Sequence, residues 1–252
     1  AGLMRWRHWL GSIMAAGALL TGGALAEAPA DFDAYYSVEK AGLTLGRASL
    51  RFRQPTPGQY DYRLHTRAVG VARLFASSEV IERSRGQILD SGFRPTTYHY
   101  ERRGDDKARR AELRFDWQAL EVVNDVAAYP WRMDITADTI DRVISPLQLM
   151  HDLANRDPDE NRLIYRIADG GRLKTYLLTI EGEDTIETPM GTFETLRIRR
   201  RDTDSDRETQ LWCAPALDYL AVQVEQWEDG GLNFRLALTG LNGLDQAMAA
   251  AE

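Results

Sequence analysis

The stretch RIRRRDTDSDRETQLW, residues 197–212, contains charged side chains that could bind a metal ion or a phosphate. Asp202, Asp204 and Asp206 have the spacing of the first three ligands of a calcium loop. An arginine stands where that loop needs its glycine, a cysteine stands where it needs its bidentate glutamate, and the flanking residues alternate as in strands. We therefore predict a hairpin with an acidic tip and basic shoulders whose opposite charges pair across strands. A weak cation site and a docking surface remain as alternatives.

The histidines and the cysteine give no signature of a metal site or a nucleophile. After the N-terminal segment, His65, His99 and His151 stand without a neighbouring ligand at metal-binding spacing. Cys213 lies in an apolar strand end, which indicates a buried, inert thiol. The chain lacks a G-x-S-x-G elbow, a phosphate loop and a dinucleotide fingerprint. We assign no catalytic residue, metal or cofactor, although a triad or a carboxylate pair assembled from distant residues stays open.

Aromatic side chains are the better candidates for contact with a ligand. On a curved sheet, tryptophan and tyrosine can stack on sugars or line a lipid cavity, although they also fill cores. The candidate ligand-binding residues are Trp131, Trp212, Trp227, Tyr165 and Tyr176.

The elements that must position these side chains are mostly strands. Apolar residues recur at every second position from Leu220 to Val224 and from Leu232 to Leu238, with Gly230 in the turn between them. This period of two is typical of half-buried strands, and glycine supplies the positive φ that tight turns need. Similar hairpins bracket Gly104 and Gly170. Further strands are predicted at 32–40, 43–53, 59–69, 78–90, 120–127 and 131–136.

One segment, ISPLQLMHDLAN at residues 144–155, predicts a helix. Ser145 fits the N-cap, Pro146 the first helical position, and Gln148 would complete a capping box. Leu149, Met150 and Leu153 lie on one stripe of this helix. We expect it to be the single short, capped helix of the chain.

These elements predict a mainly β fold. About a dozen strands joined by short hairpins favour an antiparallel sheet with one apolar face. An open flat sheet of that size would expose this face to water, so we expect it to curl into a half-barrel or to form a sandwich-like pair of layers. The helix would pack against the sheet. We expect one domain over residues 27–244 and a flexible tail over residues 245–252.

The first 26 residues resemble a secretory signal peptide. Arg5 and Arg7 precede a short apolar run from Trp9 to Leu20, and Ala24-Leu25-Ala26 fits a cleavage site. A membrane anchor is the alternative, but the run is shorter than the roughly 20 apolar residues of a span. Cleavage would remove two arginines and no acids, which changes the net charge from −7 to −9. We therefore expect a periplasmic protein that neither binds nucleic acid nor spans the membrane.

Residues 188–227, TPMGTFETLRIRRRDTDSDRETQLWCAPALDYLAVQVEQW, resemble a bacterial exported family known as domain of unknown function 3108. The likeness lies in P-x-G-T-F-E-T, a strand ending in basic residues, and W-x-A-P-x-L-x-Y-L-x-V. Ala221 departs from it where proline is expected. The family implies a fold but no activity. In architecture, the predicted curved sheet with a helix is also similar to periplasmic lipoprotein carriers, which hold acyl chains under a helical lid.

Three functional hypotheses follow. The first is a non-catalytic periplasmic protein that binds a hydrophobic or envelope-derived ligand in the concave face of the sheet. The second is an interaction module for an envelope protein, without a small ligand. The third is a hydrolase of envelope glycan or lipid, which predicts a cleft with carboxylates or a histidine of shifted pKa.

Overall fold

The computed structural model describes residues 28–74, 79–104, 109–125 and 130–244. The predicted signal peptide and C-terminal tail lie outside these residues. The strands are β1 Phe32–Lys40, β2 Leu43–Arg53, β3 Gln59–Ala68, β4 Glu79–Leu89, β5 Gly92–Arg103, β6 Arg109–Asp116, β7 Glu121–Asn124, β8 Trp131–Asp134, β9 Thr139–Asp141, β10 Arg162–Asp169, β11 Arg172–Thr188, β12 Gly191–Asp202, β13 Glu208–Ala214, β14 Leu220–Glu228 and β15 Gly231–Asn242. Helix α1 spans Ser145–Asn155, and two short 3₁₀ helices span Gly70–Leu74 and Pro215–Leu217.

All fifteen strands belong to one sheet. Its order is β8-β7-β6-β5-β4-β3-β2-β1-β15-β14-β13-β12-β11-β10-β9, so β1 pairs with both β2 and β15. Neighbouring strands are antiparallel except β9 and β10, which pair in parallel across the connection that contains α1. The mainly β, antiparallel fold predicted from the alternation of apolar residues is confirmed. The parallel pair was not predicted, because three-residue β9 is too short to show a period.

The sheet is curled but not closed. Strand β9 contacts β5, and β11 contacts β8, although these strands lie far apart in the sheet order. The two edges of the sheet therefore approach each other, as expected for a large sheet that must cover its apolar face. A single curled sheet is present instead of the two layers of a sandwich.

Helix α1 lies inside this curl. It contacts β5 on one half of the sheet and β14 on the other. Its buried residues point in several directions around the helix axis, which is typical of an enclosed helix and not of a surface helix. They are Ser145, Leu147, Gln148, Leu149, Met150, His151 and Leu153. The described part of the chain has no helix long and apolar enough to cross a membrane.

The predicted capping of α1 was wrong. The helix begins at Ser145 itself, the N-cap position is Ile144, and no side chain caps it there. Ser145 Oγ instead donates to the carbonyl oxygen of Arg142 at 2.8 Å. The carboxylate of Asp141 accepts a hydrogen bond from the backbone N–H of Ile144 at 2.9 Å, so it holds the residue that precedes the helix and does not cap the first turn.

Gln148 joins the helix to the sheet and does not complete a capping box. Its side-chain oxygen accepts the backbone N–H of Phe93 at 2.9 Å, and its amide donates to the carbonyl of Ser91 at 3.0 Å. Gly92 lies between these residues with a φ of +112°, and a Cβ there would lie 2.2 Å from Gln148 Oε1. Glycine is therefore required at Gly92 by its backbone conformation and by the close approach of the helix.

Candidate functional site

A cavity of about 250 Å³ lies inside the curl, between α1 and the inner faces of β1–β3 and β13–β15. Its lining is mainly apolar because the inward positions of these strands are the apolar positions of their alternating pattern. The apolar lining residues include Tyr36, Ala48, Leu50, Tyr62, Leu64, Leu147, Leu149, Met150, Leu211, Cys213, Leu220, Ala221, Val224, Phe234 and Leu236.

The cavity is partly open to solvent. Its lining residues Gln226 and Phe234, nearest the β14–β15 turn, are half-buried, and so are Tyr219 and Ala221 on either side of Leu220. The lining residues Leu211, Cys213 and Leu220 are buried.

Two of the three charged residues of the cavity neutralise each other. Arg142 forms a close ion pair with Glu82 Oε1, and its guanidinium lies 5.6 Å from the centre of the Tyr100 ring. Burial alone would lower the pKa of Arg142, but Tyr98 and the carboxylate of Glu82 raise it above its ordinary value. Arg142 and Glu82 are therefore ion-pair partners, and their formal charges cancel.

The third charged residue, Arg200, has a different environment. It donates to Thr209 Oγ1 at 2.9 Å, and its guanidinium lies 4.5 Å from the centre of the Tyr176 ring. Burial lowers its pKa, with a smaller opposing effect from Tyr176. Among the residues that the structure describes, no carboxylate forms an ion pair with Arg200. The cavity therefore carries an arginine whose charge is not neutralised by direct contact.

Asp141 lies close to the cavity but does not line it. It is fully buried and accepts hydrogen bonds from Ser84 Oγ and from Ile144 N–H, and Ser84 also bonds to the Tyr60 hydroxyl at 2.9 Å. Burial raises the pKa of Asp141 to about 7, and the charge of Glu82 adds to this. Asp141 lines neither the cavity nor the second depression, which is described in the next paragraph. Its carboxyl therefore holds α1 and the strands together and does not face a ligand.

A second depression, of about 420 Å³, lies on the other side of Arg142. It is shallower and more polar than the cavity, and Arg142 lines both. Its other lining residues are Tyr98, Tyr100, Arg109, Arg110, Ala111, Leu113, Asn124, Trp131, Asp169 and Gly170.

The five aromatic residues predicted to contact a ligand are not brought together. Tyr176 contacts Arg200, and Trp131 lines the second depression. Trp212 is buried and donates to Asp184 at 2.9 Å, while half-buried Trp227 donates to Glu225 at 3.1 Å. Tyr165 is buried and donates to Asp152 on α1 at 2.7 Å. Four of the five line neither the cavity nor the depression: Tyr165, Tyr176, Trp212 and Trp227.

The sequence interpretation missed Glu82, Arg142 and Arg200 as site residues. A signal existed for Arg200, because alternation along β12 places it on the same face as Leu196 and Ile198, whereas Arg199 and Arg201 face outward. Glu82 and Arg142 carried no such signal. They are 60 positions apart in the chain and meet only in the folded protein.

Residues 197–212 form the predicted hairpin, from β12 through a turn into β13. The arginines of its outer face pair mainly with β11 and not with the acidic tip. Arg199 binds Glu181 at 2.9 Å, and Arg197 binds Asp184 at 3.2 Å. Within the described residues, no group of three or more His, Cys, Asp and Glu side chains is placed to hold a metal ion.

The histidines lie on separate elements, each beside a carboxylate. His65 contacts Glu79, His99 lies 3.6 Å from Glu101, and His151 lies 3.2 Å from Asp152.

Cys213 is a buried residue of the cavity lining. Burial raises the pKa of its thiol to about 12. This pKa disfavours the nucleophilic thiolate at neutral pH.

Comparison with known proteins gives a family and a fold. The family model "Protein of unknown function (DUF3108)" matches residues 31–237. No curated protein matches the chain. A β-barrel-like protein of domain of unknown function DUF1849 from Brucella abortus aligns with a TM-score of 0.56 at 10% identity, over 84% of this chain and 97% of that chain. This likeness shows the fold alone.

Two further solved structures align less well. A "putative exported protein with YmcC-like fold" from Bacteroides fragilis gives a TM-score of 0.38 at 11% identity, over 85% of this chain and 97% of that chain. A "putative lipoprotein" from Parabacteroides distasonis gives 0.35 at 12% identity, over 85% and 96%.

Proposed function

This chain belongs to the DUF3108 family of proteins of unknown function, so we infer its role from the site. We propose that it binds a hydrophobic ligand in the cavity beside α1 and does not catalyse a reaction on that ligand. The observation that carries this proposal is the partly open apolar cavity of about 250 Å³. Such a volume exceeds the roughly 150 Å³ of an apolar cavity that binds benzene and approaches the roughly 300–1,000 Å³ of common ligand sites.

The size of the cavity favours a single short acyl chain. Each buried methylene contributes about 0.8 kcal/mol, so a chain of about eight carbons would gain roughly 6 kcal/mol before the costs of association. We therefore expect dissociation constants of about tens of micromolar or weaker. Several long acyl chains, as on a mature lipoprotein, would need a larger cavity.

A binding role is favoured over hydrolysis by the position of Asp141. Among the described residues, it is the carboxyl whose pKa is raised, yet it lines neither the cavity nor the second depression. A general acid must reach the bond that it protonates. The carboxylate that does line the cavity, Glu82, is held by Arg142.

The proposal places the protein in the periplasm as one domain over residues 27–244. Support for export comes from the sequence, in which two arginines, an apolar run and Ala24-Leu25-Ala26 follow the pattern of a cleaved signal. A short-chain ligand from the cell envelope would be present in that compartment.

Filling the cavity should weaken binding. Val224 lines the cavity and is half-buried, so Val224→Trp would place an indole in the space proposed for the chain. We expect the fluorescence of the apolar probe N-phenyl-1-naphthylamine to rise with the wild-type protein and its affinity to fall at least tenfold with this variant. Fluorescence titration measures both.

Val123→Trp is the matched control, because half-buried Val123 on β7 carries the same substitution outside the cavity. It should bind the probe as the wild type does. Equal binding by the wild type and Val224→Trp, with both variants folded by circular dichroism, would contradict the proposed site.

A further inference from the structure

The charges facing the cavity do not balance. Glu82 contributes one negative charge, whereas Arg142 and Arg200 contribute two positive charges. The contact between Glu82 and Arg142 leaves Arg200 as the excess charge. A charge removed from water is costly unless it is paired, so an occupied cavity needs an anion near Arg200.

The neighbours of Arg200 orient it without neutralising it. The Thr209 hydroxyl accepts one hydrogen bond at 2.9 Å, and the Tyr176 ring supports the guanidinium face at 4.5 Å. A guanidinium has five N–H donors. Among the described residues, Thr209 is the one that accepts a hydrogen bond from the side chain of Arg200. The remaining N–H donors can therefore bind a ligand oxyanion, in the two-point geometry that arginine prefers.

Asp202 is the carboxylate on the same strand that acts on Arg200 through its charge. It forms no ion pair with Arg200, and its Oδ1 accepts the backbone N–H of Asp204 at 3.0 Å in the β12–β13 turn. Asp202 thus forms its hydrogen bond within the turn and does not neutralise the charge of Arg200 by direct contact.

The position of Arg200 matches the end of an amphiphile. It lies two residues before the end of β12, near the β12–β13 turn, while the apolar wall from Leu211 to Leu220 continues inward. We propose that the ligand is a single-chain amphiphile with an oxyanion head group, a carboxylate or a phosphate monoester, whose head is bound by Arg200. This inference rests on the proposed function, since it specifies the ligand of the same cavity.

The test compares ligands of equal chain length on the delipidated full chain. Decanoate, decyl phosphate and uncharged methyl decanoate are titrated by displacement of N-phenyl-1-naphthylamine. We expect the two anions to displace the probe at a concentration at least tenfold lower than the ester. Stronger binding of decanoate would indicate a fatty acid, and stronger binding of decyl phosphate a phosphate-bearing lipid; either result supports the proposal.

Substitutions at position 200 test whether Arg200 causes the preference for anionic ligands. Arg200→Gln should lose the preference for anions and retain its affinity for methyl decanoate, whereas Arg200→Lys, which keeps the charge, should retain part of the preference. Arg199→Gln is the matched control, because Arg199 faces outward and pairs with Glu181 at 2.9 Å. It should leave the preference unchanged.

The two proposals fail in different ways. Equal binding of anions and ester by the wild type, or an undiminished preference in folded Arg200→Gln, would overturn the role of Arg200 and leave a hydrophobic cavity site. Absence of binding by the probe and by all three ligands would overturn the proposed function itself.

Discussion

At the scale of single residues, the polar side chains inside the curl have two roles. Ser84, Asp141 and Tyr60 form a closed hydrogen-bonded group that connects β3 and β4 to the start of α1. Such a group stabilises one arrangement of a core only when its members are all satisfied. Arg200 differs, because it faces the cavity and none of the carboxylates that the structure describes forms an ion pair with it. The group of Ser84, Asp141 and Tyr60 supports the fold, and we propose that Arg200 binds the ligand.

The raised pKa of Asp141 predicts a specific dependence of stability on pH. In the unfolded chain its pKa is near 3.8, and in the folded protein burial raises it to about 7. Between these values the folded state retains a proton that the unfolded state has lost, so this group makes the free energy of unfolding fall as pH rises from about 4 to about 7. The charge of Glu82 on β4 adds to the raised pKa of Asp141, whereas burial raises the pKa of Tyr60 on β3 well above its ordinary value, so Tyr60 is neutral over this range.

Asp141→Asn removes this titration and keeps an acceptor for Ile144 N–H. We expect its stability relative to the wild type to improve by a few kcal/mol between pH 4 and pH 8, since one pKa unit corresponds to about 1.4 kcal/mol. Urea unfolding at a series of pH values measures the difference. Exposed Asp138 provides the control Asp138→Asn, and a constant difference between Asp141→Asn and the wild type would contradict the assignment.

At the scale of elements, α1 determines whether the sheet encloses a cavity or a solid core. The helix supplies one wall through Leu147, Leu149 and Met150, and Gln148 fixes its distance from β5. Its position therefore depends on hydrogen bonds as well as on apolar contacts. A helix held only by apolar contacts could move deeper and close the cavity.

Gln148→Met tests this fixation with a side chain of similar length. The buried backbone N–H of Phe93 would lose its acceptor, which costs about 1–3 kcal/mol, and the carbonyl of exposed Ser91 would lose its donor. Chemical denaturation should show this loss. Gln118→Met, at an exposed turn position, should change the stability by less than about 0.5 kcal/mol. Equal stability of the two variants would show that Gln148 does not hold the helix.

At the scale of the whole molecule, one core connects both ends of the sheet. The buried cluster includes Phe32 on β1, Phe115 on β6 and Leu178 on β11. Since no boundary divides this cluster, we expect residues 27–244 to unfold in one cooperative transition.

Unfolding followed by two probes tests this expectation. Trp117 and Trp131 report on the β6–β8 side of the sheet, and Trp212 and Trp227 report on β13 and β14. Tryptophan fluorescence and far-ultraviolet circular dichroism should give the same midpoint, both in the wild type and after Trp117→Phe with Trp131→Phe. Separate midpoints would indicate that the two halves of the sheet fold independently.

The sequence by itself determined the local structure. Alternation predicted the strands around Leu220–Val224 and Leu232–Leu238, and the ISPLQLMHDLAN segment predicted the helix, because both patterns depend on residues within a few positions of each other. The need to cover an apolar face favoured a half-barrel or a sandwich-like pair of layers, and the structure decided for the single curled sheet. The same alternation contained the inward direction of Arg200, although its meaning needed the cavity.

Only the tertiary structure decided which side chains meet. The pairing of Glu82 with Arg142, the hydrogen bond of Asp141 to Ile144 before α1 and the parallel pairing of β9 with β10 all depend on how far the sheet curls and where the helix enters it. Twist and curvature accumulate over fifteen strands, and no short sequence window contains their sum. For this reason the apolar wall and the inward direction of Arg200 could be expected from the sequence, whereas the pairing of Glu82 with Arg142 that leaves Arg200 as the excess charge could not.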